Sequence, residues 1–316
     1  MTVEQAKAII ASPFFNAFLD PAANRSSCIT AWLSAQKVPY RTVTLQDKTH
    51  IIISYRQSAY NPRFKMKTLI AHYDRAENTP GANDNSAACV QLLRFAQLLL
   101  HTHGAHNIRI IFTDGEEAGA EGIRNQGSYR LGQGLRALAM ERDDIFVFDL
   151  CGTGDTLILS ESGIYGRDKK KTVSLTAFHR RCCVYAEEAC SGQWMSLPTA
   201  YSDNAGLISA GLTAQVITVL PRAEAALLMH YLPRTARNGG IPHLNAHTSG
   251  DEGALHALLH CIITNAPVHP ASPLAAVIPQ TWQRMHTPQD SIATLTPEAF
   301  MRMDAFLRYL ITVKEG

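Results

Sequence analysis

The sequence predicts an α/β fold, in which helices alternate with the strands of a central sheet. Short β-branched and aromatic runs, such as Thr68–Ala71 and Asn107–Thr113, have the length and composition of buried strands. Apolar helical stretches separate these runs, and the alternation recurs from residue 68 to residue 219. A strand, a helix and a second strand in this order form a right-handed crossover with parallel strands. We therefore expect a ligand cleft where the strands end at their carboxyl edge.

The first part of the chain combines helices with a hairpin. Pro13 and Asn16 interrupt an apolar run after the first helix, which also makes this run a poor signal peptide. Residues 46–48 form the expected hairpin turn. The predicted elements are helices over Gln5–Ile10 and from a cap at Asn24 or Ser26 to Ala35, then strands over Tyr40–Leu45 and Thr49–Tyr55.

The middle of the chain carries the α/β alternation. Three histidines at 101, 103 and 106 precede the amino end of a strand, away from the expected cleft, and we expect them to be exposed. The predicted elements are helix Ser86–Thr102, strand Asn107–Thr113, a helix from Gly127 to about Met140, strands Ile145–Asp149 and Thr156–Ser160, helix Ser174–Cys190, strand Gln193–Leu197, a short helix through Ala210, and strand Thr213–Val219.

The alternation stops between residues 221 and 280. Apolar helical pieces here lie among glycines and prolines, which predicts a helical insertion near the cleft within one domain over residues 1–316. Pro297 then stands in the first turn of a final helix that ends near Val313.

Acidic residues and a histidine follow the apolar runs in four places. His72 ends one predicted strand, Glu116 and Glu117 follow another, and Asp149 ends a third. Asp84 precedes the helix between the first two of these strands, so its carboxylate is expected at the same rim. An imidazole with four carboxylates suits zinc or a similar divalent ion, and one carboxylate can bridge two ions. Because successive side chains diverge at a strand end, one glutamate can bind metal while its neighbour acts as a general base.

These residues belong to five motifs that occur in one order. They are H-x-D at His72–Asp74, G-A-N-D-N-S at Gly81–Ser86, D-G-E-E at Asp114–Glu117, F-D-L at Phe148–Leu150 and M-H-T-P-Q-D at Met285–Asp290. Over roughly residues 68–310 the chain resembles the di-zinc aminopeptidases, a family that also contains the glutaminyl cyclases. The resemblance implies a three-layer α/β/α fold with a mostly parallel mixed central sheet, of the zinc-dependent exopeptidase and phosphorylase/hydrolase-like type.

The resemblance also implies a role for each motif residue. It implies two zinc ions per chain, or one if the protein is a cyclase, and a cis peptide bond at Asp84–Asn85. Asp84 would bridge the ions, His72 and Asp149 would complete one site, and Glu117 and His286 would complete the other. Glu116 would be the general base, and Asp74 would orient His72.

One motif departs from the family. Relatives commonly have S-D-H where this chain has Tyr201-Ser202-Asp203-Asn204, so the histidine is missing. A tyrosine near this motif assists the transition state in some relatives, but Tyr201 lies in a different register. We retain Tyr201 and Asp203 as candidate substrate contacts, together with Trp282, which lies close to His286 in the sequence.

Composition narrows the class of protein. A net charge of +2 with both signs scattered leaves no basic face for nucleic acid, and no run approaches the ~18 apolar residues of a membrane span. The seven cysteines include no C-x-x-C pair, which favours reduced structural thiols and a cytoplasmic location.

Three functions fit these expectations. The first is an aminopeptidase acting on a peptide or small aminoacyl substrate, with Glu116 as the base for an attacking water. The second is a glutaminyl cyclase, in which the substrate's own amine attacks its side-chain amide. The third is a non-catalytic binding domain, although such domains lose ligands and this chain retains all of them. We favour hydrolysis because the chain supplies ligands for two ions and only a hydrolase needs an activated water.

Overall fold

A mixed sheet forms the centre of the fold, with helices on both faces, as the sequence predicts. The structure is a computed structural model that describes residues 1–164, 169–232, 250–266, 268–269 and 271–315. The strands are β1 (Tyr40–Leu45), β2 (Lys48–Ile53), β3 (Lys67–His72), β4 (Ile108–Thr113), β5 (Asp144–Phe148), β6 (Thr156–Ser160), β7 (Trp194–Leu197) and β8 (Ala214–Leu220).

The sheet is mostly parallel where the candidate site forms. The strand order is β1-β2-β4-β3-β5-β8-β6-β7. β4, β3, β5 and β8 run parallel to one another, and β6 runs parallel to β7. The β1–β2, β2–β4 and β6–β8 pairs are antiparallel. Because β3, β4 and β5 are adjacent and parallel, their carboxyl ends meet at one edge of the sheet.

The two faces of the sheet bury alternate residues of each central strand. Phe112, Phe146 and Phe148 pack with the helices of one face, whereas Ile111 and Val147 pack with those of the other. This alternation follows from the two-residue repeat of a strand, and a strand covered on both faces is apolar throughout. The strands therefore fix which side chains can reach the carboxyl edge.

The helices form the outer layers, and two of them, which begin at Pro13 and at Gln280, were not predicted. Pro13 was expected to break the apolar run, but it begins α2, where its missing N–H is harmless and Ser12 caps the helix. The helices are α1 (Val3–Ile10), α2 (Pro13–Leu19), α3 (Arg25–Ala35), α4 (Ala87–Leu100), α5 (Gly127–Ala137), α6 (Lys169–Cys190), α7 (Asp203–Ser209), α8 (Arg222–Tyr231), α9 (Gly250–Thr264), α10 (Gln280–Gln283) and α11 (Pro297–Thr312).

The segment at 221–280 contributes α8, α9 and the start of α10. Leu228 of α8, Ile262 of α9 and Trp282 of α10 belong to one buried cluster against the sheet. Residues 233–249, in the middle of the expected insertion, lie outside the described residues. Ile263 and Asn265, at the end of α9, line the cleft described below.

Two further findings concern the histidines before β4 and the length and composition of the helices. His106 is buried, contrary to the expected exposed histidine, because its ring packs edge-on against Tyr55 with centroids 5.0 Å apart. Within the described part of the chain, no helix is both long enough and apolar enough to cross a bilayer.

Candidate metal centre

All five predicted metal ligands converge at the carboxyl edge of the sheet. Three of the strands place four of the predicted site residues. His72 is the last residue of β3, Glu116 and Glu117 follow β4, and Asp149 follows β5. Asp84 enters from the loop before α4, and His286 enters from the segment after α10, where its backbone has a left-handed φ of 56°. The strand ends and two separate loops therefore build one cluster.

Asp84 lies between two groups of side chains, and each group lies close to one of its two carboxylate oxygens. His72 Nε2 is 3.2 Å from Asp84 Oδ1 and 3.6 Å from Asp149 Oδ1. On the other side, His286 Nε2 is 3.2 Å from Asp84 Oδ2 and 3.1 Å from Glu117 Oε2. These contacts form two triads that share the carboxylate of Asp84, and one oxygen of Glu116 lies close to His72 and Glu117 of the same cluster.

The residues present fit zinc. His72 Nε2, Glu117 Oε1 and Asp149 Oδ1 are buried and have no hydrogen-bond partner among the described residues, which is costly unless a cation or another partner satisfies them. The carboxylates of Asp84 and Glu117 raise the pKa of His286 to about 11. Imidazole nitrogens and carboxylate oxygens are also ligands that zinc prefers.

A hydrogen-bonded loop holds Asp84 in place. The Asp84–Asn85 peptide bond is cis, as the resemblance implies. The carboxylate of Asp290 accepts hydrogen bonds from the backbone N–H groups of Asn83 and Asp84, at 2.7 and 3.0 Å. Asn85 Nδ2 donates to the carbonyl of Phe148 at 2.8 Å. This loop therefore contacts both the end of β5 and the segment that carries His286.

Asp74 supports the ligands without belonging to either triad. Its Oδ1 lies 3.5 Å from His72 Nδ1, on the side of the ring away from Asp84. Its two oxygens also accept the backbone N–H groups of Glu116 and Glu117, at 3.2 and 3.0 Å. One carboxylate therefore lies against the first strand end and fixes the backbone after the second.

Glu116 occupies a half-buried position beside the triads. Burial raises the pKa of its carboxyl group well above the ordinary value, and the negative charges of Asp149 and Asp203 act in the same direction. Gln126 Nε2 donates a hydrogen bond to Glu116 Oε1 at 3.0 Å, while Gln126 Oε1 accepts from the N–H of Gly206, also at 3.0 Å. Sequence reasoning missed Gln126, because no motif or spacing links residue 126 to residue 116.

A cavity of about 480 Å³ opens beside the cluster. Tyr201 and Trp282 both line it, as predicted for substrate contacts, and Trp282 Nε1 is buried with no hydrogen-bond partner in the described residues. Asp203 was expected to contact substrate, but its fully buried carboxylate accepts a hydrogen bond from Thr113 behind the cleft. The start of α7 places Asp203 under the strand ends, out of reach of a substrate.

Solved structures share this fold along nearly the whole chain. A leucine aminopeptidase precursor from Bacteroides thetaiotaomicron superposes with a TM-score of 0.62 and 14% identity, covering 98% of this chain and 97% of that one. A glutaminyl cyclase from the same organism gives 0.60 and 15%, covering 98% of each chain. A Porphyromonas gingivalis glutaminyl cyclase gives 0.59 and 17%, covering 96% and 97%. At these identities the likeness shows a common fold, which hosts more than one activity.

The family assignment rests on sequence. No curated protein matches this chain. The sequence model of Peptidase family M28 matches residues 51–311, which is most of the 316 residues and includes every predicted metal ligand. The chain therefore belongs to peptidase family M28, whose members act on peptides.

Proposed function

We propose that this protein is a two-zinc aminopeptidase that hydrolyses the N-terminal residue from peptides. The observation that carries the proposal is the position of the Asp84 carboxylate. One of its oxygens faces His72 and Asp149, and the other faces His286 and Glu117. In this assignment Asp84 would contribute one oxygen to each of two ions, and each triad would supply the remaining protein ligands of one ion. A single-zinc enzyme would need only one of these triads.

The residues around the triads have distinct tasks in the proposed reaction. Bound zinc would supply Lewis acidity and a lowered pKa for the attacking water. Glu116 accepts the proton of that water and later transfers it to the leaving amine, which a carboxylate with a raised pKa can do. Gln126 holds one oxygen of Glu116 and leaves the other free for the proton. Asp74 keeps His72 and the backbone of both glutamates in position.

The cleft favours N-terminal residues with neutral side chains. In the described part of the lining, the carboxylate and imidazole side chains are those of the metal cluster and Glu116, and the remaining wall includes Ile123, Val216, Ile263 and Met285. A charged substrate side chain would lose its water without gaining a dedicated partner. The free amino group can instead approach the carboxylates at the base of the cleft.

A glutaminyl cyclase is the second candidate, and Trp282 favours it. The buried indole N–H of Trp282 has no partner among the described residues and faces a largely apolar cleft. An apolar pocket that excludes water suits an intramolecular attack by the substrate amine, because no water is then needed as the nucleophile. Glu116 would serve as the base in this reaction too. The ligand set alone therefore does not separate the two reactions.

Mass spectrometry separates the two reactions directly. The purified protein, loaded with zinc, is incubated with a peptide that begins with glutamine and with one that begins with leucine. We expect both peptides to lose their first residue. Loss of ammonia from the glutamine peptide, with its chain intact and the leucine peptide unchanged, would instead establish cyclisation.

The Glu116→Gln variant is the matched control for this assay. It should retain zinc and substrate affinity while kcat falls by about 10²- to 10⁴-fold, the usual range for loss of a general base. Near-normal turnover by this variant would mean that another group accepts the proton.

A cytoplasmic location remains a prediction, which fractionation of the native host would test.

A further inference from the structure

A buried arginine lies beneath the metal centre, outside the region that matches the family. Arg25 is the first residue of α3, and its side chain is only 6% exposed. The family match begins at residue 51, so neither Arg25 nor the helices around it belong to the matched segment. The family resemblance therefore assigns no role to Arg25.

The guanidinium of Arg25 joins two loops of the site. Nη1 donates to the carbonyls of Tyr73 and Asp74, at 3.1 and 3.3 Å, directly after β3. Nη2 donates to the carbonyls of Pro80 and Gly81, at 2.9 and 3.4 Å. It also donates to Ser86 Oγ, at 2.8 Å. One nitrogen thus holds the segment of Asp74, and the other holds both ends of the loop that carries Asp84.

Arg25 carries a positive charge without a direct ion pair in these contacts. All five acceptors are carbonyl or hydroxyl oxygens. Burial lowers the pKa of Arg25 to about 10, with a further contribution from Arg75, while the charges of Asp84 and Asp74 oppose this change. The side chain is therefore still protonated at neutral pH. Burying a charge is costly, and these five hydrogen bonds replace part of the water that the guanidinium loses.

The surroundings are shaped to hold this side chain. Phe18 of α2 covers the guanidinium, with Arg25 Cζ 5.0 Å from the ring centroid. Gly81 has a left-handed φ of 62°, and a Cβ atom there would lie 2.6 Å from the carbonyl oxygen of Asp84 and 3.1 Å from Arg25 Nη2. A side chain at Gly81 would therefore displace either the loop or the arginine.

We propose that Arg25 is a positioning residue that fixes the separation between Asp74 and Asp84 and so prepares the site to bind zinc. It acts through the two loops and contacts neither metal nor substrate. The inference depends on the metal binding in the proposed function but not on whether the reaction is hydrolysis or cyclisation. It also gives the helices before residue 51 a part in building the site.

Charge and geometry make opposite predictions for Arg25. A positive charge near the ligands repels an incoming cation, so removal of that charge alone would strengthen zinc binding. Loss of the planar guanidinium group, whose two nitrogens bind the two loops, would instead let the loops move apart and so weaken zinc binding. A lysine keeps the charge but is a single point donor that does not hold both loops as the guanidinium does. Arg25→Lys and Arg25→Met therefore separate the two effects.

The experiment measures zinc affinity by competition with a chelator, and fold stability by thermal unfolding. We expect both Arg25 variants to bind zinc about 10- to 100-fold more weakly than the wild type, the range typical for residues that support metal ligands. Arg136→Met is the control, because the exposed Arg136 also donates to a carbonyl, that of Ala210, but to no residue of the metal centre. Its zinc affinity should equal that of the wild type.

Each other outcome overturns the proposal. Wild-type affinity in Arg25→Lys would show that charge alone matters, and tighter binding in Arg25→Met would show that the arginine only repels the ion. Equal losses in Arg25→Met and Arg136→Met would indicate general destabilisation. If Arg25→Met does not fold, Arg25→Lys decides. A wild type without zinc affinity would overturn the metal assignment as well, whereas a zinc-binding wild type with unchanged variants overturns only the role of Arg25.

Discussion

Asp84 is the residue on which the two triads depend. Burial alone would raise the pKa of its carboxyl group, but the imidazoles of His286 and His72 outweigh burial and hold the pKa below its ordinary value. The carboxylate therefore stays ionised between two groups of ligands. Glu117 differs, because burial and the charge of Asp84 together raise its pKa. Substitution of Asp84 and substitution of Glu117 should therefore have different effects on zinc content.

Substitution of Asp84 by alanine should abolish binding of both zinc ions, since it removes one donor from each triad. Glu117→Ala removes a donor from the triad of His286 only, so that variant should keep one ion bound. Elemental analysis of protein purified without chelator measures the zinc content. An Asp84→Ala protein that retains two tightly bound ions would show that Asp84 is not the shared ligand.

Gln126 should affect turnover through Glu116. A hydrogen bond to a charged group contributes about 1.5–3 kcal/mol, so Gln126→Met should lower kcat by roughly 10- to 100-fold with little change in KM. In a Glu116→Gln background the same change should have almost no further effect, because the carboxylate it orients is gone.

Ser128→Ala is the control for Gln126. Ser128 Oγ lies 3.5 Å from Gln126 Oε1 but is not bonded to Glu116. This variant should therefore keep its turnover. An equal loss of kcat from Gln126→Met in both backgrounds would show that Gln126 serves only the packing of this region.

The convergence of the candidate metal ligands was predictable from sequence, whereas the residues that support them were not. His72 ends an apolar strand, and Glu117 and Asp149 come after two others, so local pattern and strand direction suffice to bring them together. Gln126 and Arg25 act across 10 and roughly 50 residues of chain, through contacts that exist only after the sheet and loops have assembled. For Asp203 the sequence suggested more than the structure allows. Its motif predicted a substrate contact, but its side chain is fully buried.

At the scale of elements, the loop before α4 is tied to the segment before α11. Thr79 Oγ1 donates to the carbonyl of Thr287 at 3.0 Å, and Asp290 accepts the N–H groups of Asn83 and Asp84. Burial raises the pKa of Asp290 to about 6, while those two hydrogen bonds oppose the rise. The two elements that carry Asp84 and His286 are therefore held as one unit.

Replacement of Asp290 by asparagine should loosen that unit. An amide oxygen can accept one of the two N–H groups, but the amide NH₂ would face the other donor and leave it unpaired. We expect a loss of about 1–3 kcal/mol in the free energy of unfolding, together with weaker zinc binding. Chemical denaturation and chelator competition measure the two effects. Unchanged zinc affinity would show that the tie stabilises the fold without positioning the ligands.

Helix α2 shows why an element can escape sequence analysis. Proline is unfavourable inside a helix but suits the first helical position, and the two cases look alike when the start of the helix is unknown. The Ser12 cap was the available signal, since its side chain accepts the N–H of Phe15 three residues later. The omission matters because α2 supplies Phe18, which covers Arg25.

At the scale of the whole molecule, the amino ends of the central strands are also closed by buried polar groups. Lys67 Nζ, at the start of β3, donates to the carbonyl of Val313 at 2.7 Å and so ties the end of the chain to the sheet. His106 lies nearby, before β4, and its Nδ1 accepts the N–H of Ile108 at 3.1 Å. This edge contains no predicted ligand, and its titration should affect stability and not catalysis.

His106 should make the fold less stable as the pH falls. Burial lowers its pKa to about 4, with help from the charges of Lys314 and Lys67, whereas the unfolded chain takes up the same proton near pH 6.5. Between these values the unfolded state binds more protons, so stability present above pH 6.5 decreases until about pH 4. From pH 7 to pH 5 this group should remove about 1–2 kcal/mol from the free energy of unfolding.

Asp203 and Asp290 have raised pKa values and act in the opposite direction, so the wild type alone does not isolate His106. The test is therefore the difference between wild type and His106→Asn, which keeps an acceptor for the Ile108 N–H but cannot titrate. Denaturant unfolding at both pH values should show a smaller loss in the variant, and equal losses in the two proteins would mean that His106 takes up no proton on unfolding.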